Sequence, residues 1–159
     1  MTLETLLLVV AGTLTSLLAG LFFSFSVAIN GGLSVLKDSE YVRAMQSINR
    51  VILNPVFLLT FMGPVVLLPL VAFVHLANAT QFTLLALAAA VYIVGSFGVT
   101  VVSNVPLNDK LEAFKTEGAS DQTITAARTQ FEKPWNRLHT VRTLAAIIAT
   151  ILVFAACAV

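Results

Sequence analysis

Two long uncharged runs set the layout of the chain. No Asp, Glu, Lys or Arg lies between Glu4 and Lys37, and none lies between Arg50 and Asp109. A helix needs about 20 apolar residues to cross the hydrocarbon core of a bilayer. The first run therefore holds one span and the second holds two, divided at the polar stretch His75–Gln81. A fourth apolar stretch closes the chain. The predicted spans run roughly over residues 5–29, 51–74, 82–103 and 138–158. The last is short if counted from Thr143, so its helix is expected to begin at Pro134, a favoured first-turn residue. It would then carry Trp135 to Arg142 through the membrane interface. The fold class that follows is all-α: a single domain over residues 1–159, an integral membrane four-helix bundle with short helices in the 1–2 and 3–4 connections.

Those connections have helical patterning of their own. Asp38 or Ser39 can cap a helix through Tyr41, Met45 and Ile48 that is expected to run on into the second span. Asn-Val-Pro-Leu-Asn at 104–108 is expected to end the third span and restart a helix at Pro106. Gly118 should break that helix, and Ser120 should cap a short amphipathic one with Ile124, Ala127 and Phe131 inward. The first span has small residues at Gly12, Ser16, Gly20, Ser24 and Ala28, a stripe with a strict four-residue repeat that lets helix backbones approach closely in lipid. Packing is the plainer use of such a stripe, and its Gly12/Ser16/Gly20 part also suits a homo-oligomer. In the second span Pro55, Pro64 and Pro69 should kink the helix and free backbone carbonyls.

Composition supports a lipid-facing surface. The hydrophobic fraction is 58% and the charged fraction 11%, where a soluble domain carries about a quarter charged residues. The expected surroundings are the lipid bilayer and a hydrophobic small molecule. No basic stripe with interleaved aromatics exists, so nucleic acid is not an expected partner. Cys157 is the lone cysteine, which excludes a CxxC redox pair. The N-terminal run has an acid at Glu4 and no basic residue, and it is read as a retained helix rather than a signal peptide. All nine basic residues lie in two segments, Lys37 to Arg50 and Lys110 to Arg142, and the 2–3 connection has none. The positive-inside rule then places both charged segments in the cytoplasm and both termini outside. A bacterial plasma membrane is the expected site.

Six of the seven asparagines fall at the charged ends of the predicted spans: Asn30, Asn49, Asn54, Asn104, Asn108 and Asn136. Gln46, Asn49 (or Arg50) and Asn54 recur at helical spacing on one face, and Trp135, His139 and Arg142 do the same near the start of the fourth span. An antiparallel bundle gathers these ends, so an imidazole, a guanidinium and several amides can meet in one recess. In one reading these groups cap helices and anchor the interface, with Arg137 and Arg142 meeting lipid phosphates. In the other they face inward and bind a small molecule, as ionisable groups at membrane depth usually do. Spacing does not fix the rotation of each helix and leaves both readings open. Several chemistries lack their parts. His75 and His139 are expected on opposite sides, which excludes a haem held by both. No carboxylate lies inside a span for a di-iron site or a proton relay, and no ligand set for a metal, phosphate loop or nucleophile elbow is present. A solute transporter would need a path to the outer side, where the apolar half offers little polarity beyond His75, Asn78 and Gln81.

The chain resembles the anthrone oxygenase-like membrane proteins. The resemblance rests on Gly20-Leu-Phe-Phe-Ser-Phe-Ser, Met45-Gln-Ser-Ile-Asn49 with Asn54-Pro-Val-Phe57, Asn104-Val-Pro-Leu-Asn108, and Trp135-Asn-Arg-Leu-His139-Thr-Val-Arg142. It implies a four-span fold and, for fungal members, oxidation of polyketide anthrones to anthraquinones by dioxygen without a recognised cofactor. On this reading His139, Arg142 and Asn108 are the candidate catalytic residues, while Gln46, Asn49, Asn54, Asn104 and Trp135 bind substrate; no metal or cofactor is expected. His139, with an ordinary pKa of about 6.5, is the expected base. Arg142, Asn49 and Asn108 are expected to stabilise the oxyanion. The alternative is a non-enzymatic membrane module that binds a lipid, quinone or partner protein through the same recess.

Overall fold

The computed structural model describes residues Thr2–Val159, and among them there are five helices and no strand. Helix α1 spans Leu3–Ser34, α2 Asp38–Ile52, α3 Pro55–Val74, α4 Ala79–Glu112 and α5 Asp121–Cys157. All but α2 are long and apolar enough to cross a membrane. Each of these four packs against two others: α1 on α3 and α5, α4 on α3 and α5, so α1 and α4 lie across the diagonal. Large apolar side chains such as Val66, Phe73, Val94, Ile151 and Phe154 point outward all round the bundle. A helix surface of that kind suits hydrocarbon rather than water, and the fold is compatible with an integral membrane protein.

Two buried clusters hold the molecule together. The larger, with Leu18, Leu68, Val71, Leu85, Ala146 and Val153, fills the half towards the termini. The smaller joins α2 to the charged ends of α4 and α5 through Tyr41, Val42, Met45, Leu111, Ile124 and Phe131. Close approach is set by glycines outside the small-residue stripe. A Cβ on Gly95 would sit 2.7 Å from the Ala145 Cβ, and one on Gly63 would sit 2.6 Å from a Leu14 methyl. Within the stripe, Gly12 is covered by Val153 of the same chain, whereas Gly20 faces open space. Leu14 can turn its methyl away, but Ala145 has no rotamer to change. Gly95→Ala is therefore expected to cost about 1–3 kcal/mol through forced separation of α4 and α5, and Gly63→Ala far less. Thermal melts of the two variants in one detergent check that order.

Several boundaries differ from expectation. The α2 helix does not run on into the second span. It stops at Leu53, because a residue before proline is pushed out of helical geometry when Asn54-Pro55 starts α3. The N-cap of α2 is Lys37, whose backbone N–H donates to the Glu40 carboxylate at 3.1 Å. Pro106 does not restart a helix: α4 continues through it, after π-helical turns over Tyr92–Gly98 and Thr100–Asn104. Those wider turns shift the hydrogen-bond register, so the missing proline N–H leaves no break. Helix α5 does not begin at Pro134 either. Ser120 caps it, accepting from the Thr123 N–H at 3.3 Å, and one helix runs through the proline to Cys157. Pro134 removes a bond to the carbonyl of Gln130, an exposed residue that water can satisfy. Gly118, at φ +76°, lies in the α4–α5 turn after the helix has already ended at Glu112.

Polar bonds fasten the charged end. Arg128 donates to the Ser34 and Leu36 carbonyls at 2.9 and 2.8 Å, closing the end of α1, and pairs with Asp38 and Glu132. Asp38 also accepts from the Thr125 hydroxyl. That hydroxyl, and then Arg128, hold the Asp38 carboxyl below its ordinary range. A carboxyl with a lowered folded pKa adds stability that is complete above its unfolded value, near pH 4, and is lost as pH falls through the folded value. The docking of α2 is accordingly expected to loosen only in strong acid. Thermal melts from pH 5 downward check this, and Asp38→Asn should flatten that dependence.

Candidate functional site

Helix α5 turns Phe131, Trp135, His139 and Arg142 inward, because these positions share one face. The Trp135 and His139 rings stack with centroids 4.8 Å apart and planes 6° from parallel. The Trp135 indole N–H donates to Asn108 Oδ1 of α4 at 2.8 Å, which fixes the height of both helices. A guanidinium can only donate, so the 3.1 Å bond from Arg142 Nε makes His139 Nδ1 an acceptor. Nε2 then carries the imidazole proton and donates it to the Phe22 carbonyl at 3.0 Å. Phe22 lies where α1 changes to a π turn over Phe25–Ile29, and the N–H of Phe25 reaches both the Leu21 and Phe22 carbonyls. Such changes of register leave carbonyls open to other donors.

Arg142 is the unusual group. It is 7% exposed, and none of the ion pairs among the described residues includes it. Of the five donors of a guanidinium, one goes to His139 and one to the Thr100 hydroxyl at 3.4 Å, which leaves three without a protein acceptor. The cation sits 4.3 Å from the centre of the Phe22 ring and 5.1 Å from that of Trp135. Cation–π contacts of this kind stabilise a desolvated cation by about 2 kcal/mol, well short of the cost of burying it unpaired. Arg128, at the charged end, shows the other solution: two carboxylates and two carbonyls surround it. Among the described residues no carboxylate takes that place beside Arg142.

Arg142 opens onto a recess of about 120 Å³. Its walls are apolar and aromatic: Leu21, Phe22 and Phe25 from α1, Ile48 and Ile52 from α2, Phe57 and Phe61 from α3, and Trp135 from α5. Polar groups enter it at Asn49, Thr100, Asn108 and Arg142. Leu53, Leu58 and Val105 lie on its rim and are themselves exposed. Planar apolar walls with a single cation at the inner end suit a flat aromatic molecule with an anionic oxygen.

The predicted residues divide between the recess and the scaffold. Trp135, Arg142, Asn108 and Asn49 reach the recess, and the Asn49 Nδ2 has no partner. His139 is buried behind Arg142, with both nitrogens engaged, and does not line the recess. Gln46 closes the end of α4, donating to the Leu111 and Phe114 carbonyls at 2.8 Å each. Asn54 accepts from the Phe57 N–H and donates to the Val51 and Ile52 carbonyls, so its side chain joins α2 to α3. Asn104 is fully buried between α4 and the Trp135 carbonyl. Of the groups singled out as lipid-phosphate anchors, Arg137 is exposed and Arg142 is not. The sequence reading did not single out Phe22, Phe25, Phe57, Phe61 and Thr100 as site residues; the last lies four residues before Asn104 on α4. Among the described residues no three His, Cys, Asp or Glu side chains gather at metal-binding distance.

No curated protein and no solved structure matches the chain. The model of one family, described as anthrone oxygenase, matches residues 57–152 and so takes in Phe57, Thr100, Asn108, Trp135, His139 and Arg142. That stretch is more than half of the chain, and the protein belongs to the anthrone oxygenase family.

Proposed function

We propose that the protein is a membrane-embedded oxidoreductase of the anthrone oxygenase type, acting on a hydrophobic phenolic substrate with dioxygen and needing no cofactor. The observation that carries this reading is Arg142: a buried guanidinium with no carboxylate partner, at the inner end of an aromatic-walled recess. A flat substrate enters past Leu53 and Leu58 and lies against Trp135 and the phenylalanines. Its oxygen receives the free Arg142 N–H groups and the Asn49 amide. The proton on the ring carbon opposite the carbonyl is lost to water, and the enolate charge collects on the oxygen that Arg142 holds. In an apolar site a donor aimed at such a charge is worth a few kcal/mol.

The electron-rich enolate then reduces dioxygen and forms a C–O bond at the carbon that lost its proton. The peroxide anion takes a proton back, and loss of water gives the second carbonyl. The balance is one anthrone and one dioxygen to one anthraquinone and one water. In this scheme His139 is a positioning residue: its Nδ1 accepts from Arg142 Nε and has no lone pair free for the substrate. Asn108 holds the Trp135 ring that forms one wall. In this reading the positive-inside rule, applied to the basic residues of α2 and of the α4–α5 region, assigns this end of the bundle to the cytoplasm and both termini to the outside, and the membrane is a bacterial plasma membrane.

The test is oxygen uptake by the purified protein in detergent with a simple anthrone, read together with quinone absorbance. Spontaneous oxidation is subtracted. Uptake above background, at one dioxygen per quinone, is the expected result. Uptake equal to background rejects this substrate class and leaves the recess as the binding site of a non-catalytic module.

A further inference from the structure

A row of polar side chains runs along one buried face of α4: Tyr92, Ser96, Thr100, Asn104 and Asn108, every fourth residue. In an α-helix such a row drifts by about 40° per step. The two π-helical segments, with their wider turns, correct the drift and keep the row facing inward. Ser96 and Asn104 are 0% exposed, yet Ser96 Oγ and Asn104 Oδ1 have no hydrogen-bond partner. They flank Thr100, one turn to either side, and Thr100 is the residue that touches Arg142. Three Arg142 N–H groups also lack an acceptor. Spare donors on a buried cation thus meet this helix face at Thr100, with a spare oxygen one turn to either side and no hydrogen bond among the three.

Buried polar atoms are rarely left unpaired, and a group that both accepts and donates reconciles these. Water does so, and a buried water needs two to four such partners. We propose that Ser96, Thr100, Asn104 and Arg142 hold a short file of buried waters, Ser96 at its inner end, and that the stretch past Thr100 and Asn104 carries the substrate proton between the reaction site and the charged end of the bundle. The relay rests on the function proposed above; the hydration does not. The proton released on ionisation passes to the first water, and one proton returns to the peroxide anion, so the file is neither charged nor consumed over a turnover. Asn104 and Ser96 are positioning residues for water and do not touch the substrate.

The test combines hydroxyl-radical footprinting by X-ray radiolysis with kinetics, on the full-length protein in detergent. Radicals made from bound water label the side chains next to it, however deeply buried. Tyr92, fully buried beside Ser96, is expected to be labelled in the wild type, and its labelling should fall several-fold in Ser96→Ala. Trp135 labelling should fall likewise in Asn104→Leu. Anthrone-dependent oxygen uptake in the double variant should slow about 10²-fold, the low end for a lost proton-transfer path, with an enlarged solvent isotope effect. Tyr92 left unlabelled in the wild type, or equally labelled in Ser96→Ala, shows a dry face and overturns the proposal. Loss of labelling with unchanged uptake keeps the waters and overturns the relay. Labelling as expected in a wild type without any uptake keeps the waters and fails the proposed function instead.

Discussion

Arg142→Met should abolish turnover and leave the protein at least as stable as before. The expected loss of anthrone-dependent oxygen uptake is about 10²–10³-fold, the usual cost of removing a charge-stabilising donor. Stability moves the other way because Arg142 is desolvated without a carboxylate beside it. Methionine has a similar length, fills the space against Phe22 and Trp135, and removes a buried charge that nothing offsets. The bond lost to His139 Nδ1 is charge-assisted and worth about 1.5–3 kcal/mol, less than the several kcal/mol that an unpaired buried cation costs. Arg142→Lys should be nearly as inactive, since an ammonium cannot hold His139, Thr100 and a substrate oxygen at once. A scaffold role for Arg142 predicts the reverse pairing, a lowered melting temperature with uptake retained. Oxygen electrode traces and melting curves on one preparation decide between them.

The bundle was legible because a membrane imposes a coarse rule: about 20 apolar residues, charges outside. That rule places four spans but not their ends. The prolines misled at both Pro106 and Pro134, which sit inside continuous helices. Register shifts at π turns and access of water to a freed carbonyl have no sequence signal of the same strength. The corner at Leu53–Asn54 was missed too, although the residue before Pro55 is where a helix is driven out of α geometry. Tight helix contact was sought in the small-residue stripe of α1, yet the closest approaches are Gly95 to Ala145 and Gly63 to Leu14. Two small residues on different helices find each other only through tertiary geometry. At the site, the spacing of Trp135, His139 and Arg142 put the three on one face of α5, while the inward turn of that face comes only from the packed bundle. Amide spacing alone could not separate Gln46 and Asn54, which serve backbone carbonyls, from Asn49 and Asn108, which reach the recess.

Replacing His139 separates a base from a positioning residue. His139→Gln keeps a side-chain oxygen that can accept from Arg142 Nε, and His139→Leu keeps only the volume. If the imidazole acts through Arg142, the glutamine variant retains most turnover, with the pH profile of uptake unchanged. The leucine variant loses about tenfold or more, as expected when a catalytic group is left about 1 Å out of place. The leucine also leaves the Phe22 carbonyl without the His139 N–H at 3.0 Å, a loss of about 1 kcal/mol that a melting curve will show. A base assignment predicts that both variants fall together, by about 10²-fold or more, and that the acidic limb of the pH profile disappears in each. The hydrogen bonds favour the first outcome, because the lone pair a base would use already holds Arg142. The Trp135–His139 stack fits the same role: it fixes the ring plane, and with it the direction from which Nδ1 aligns the guanidinium with the recess.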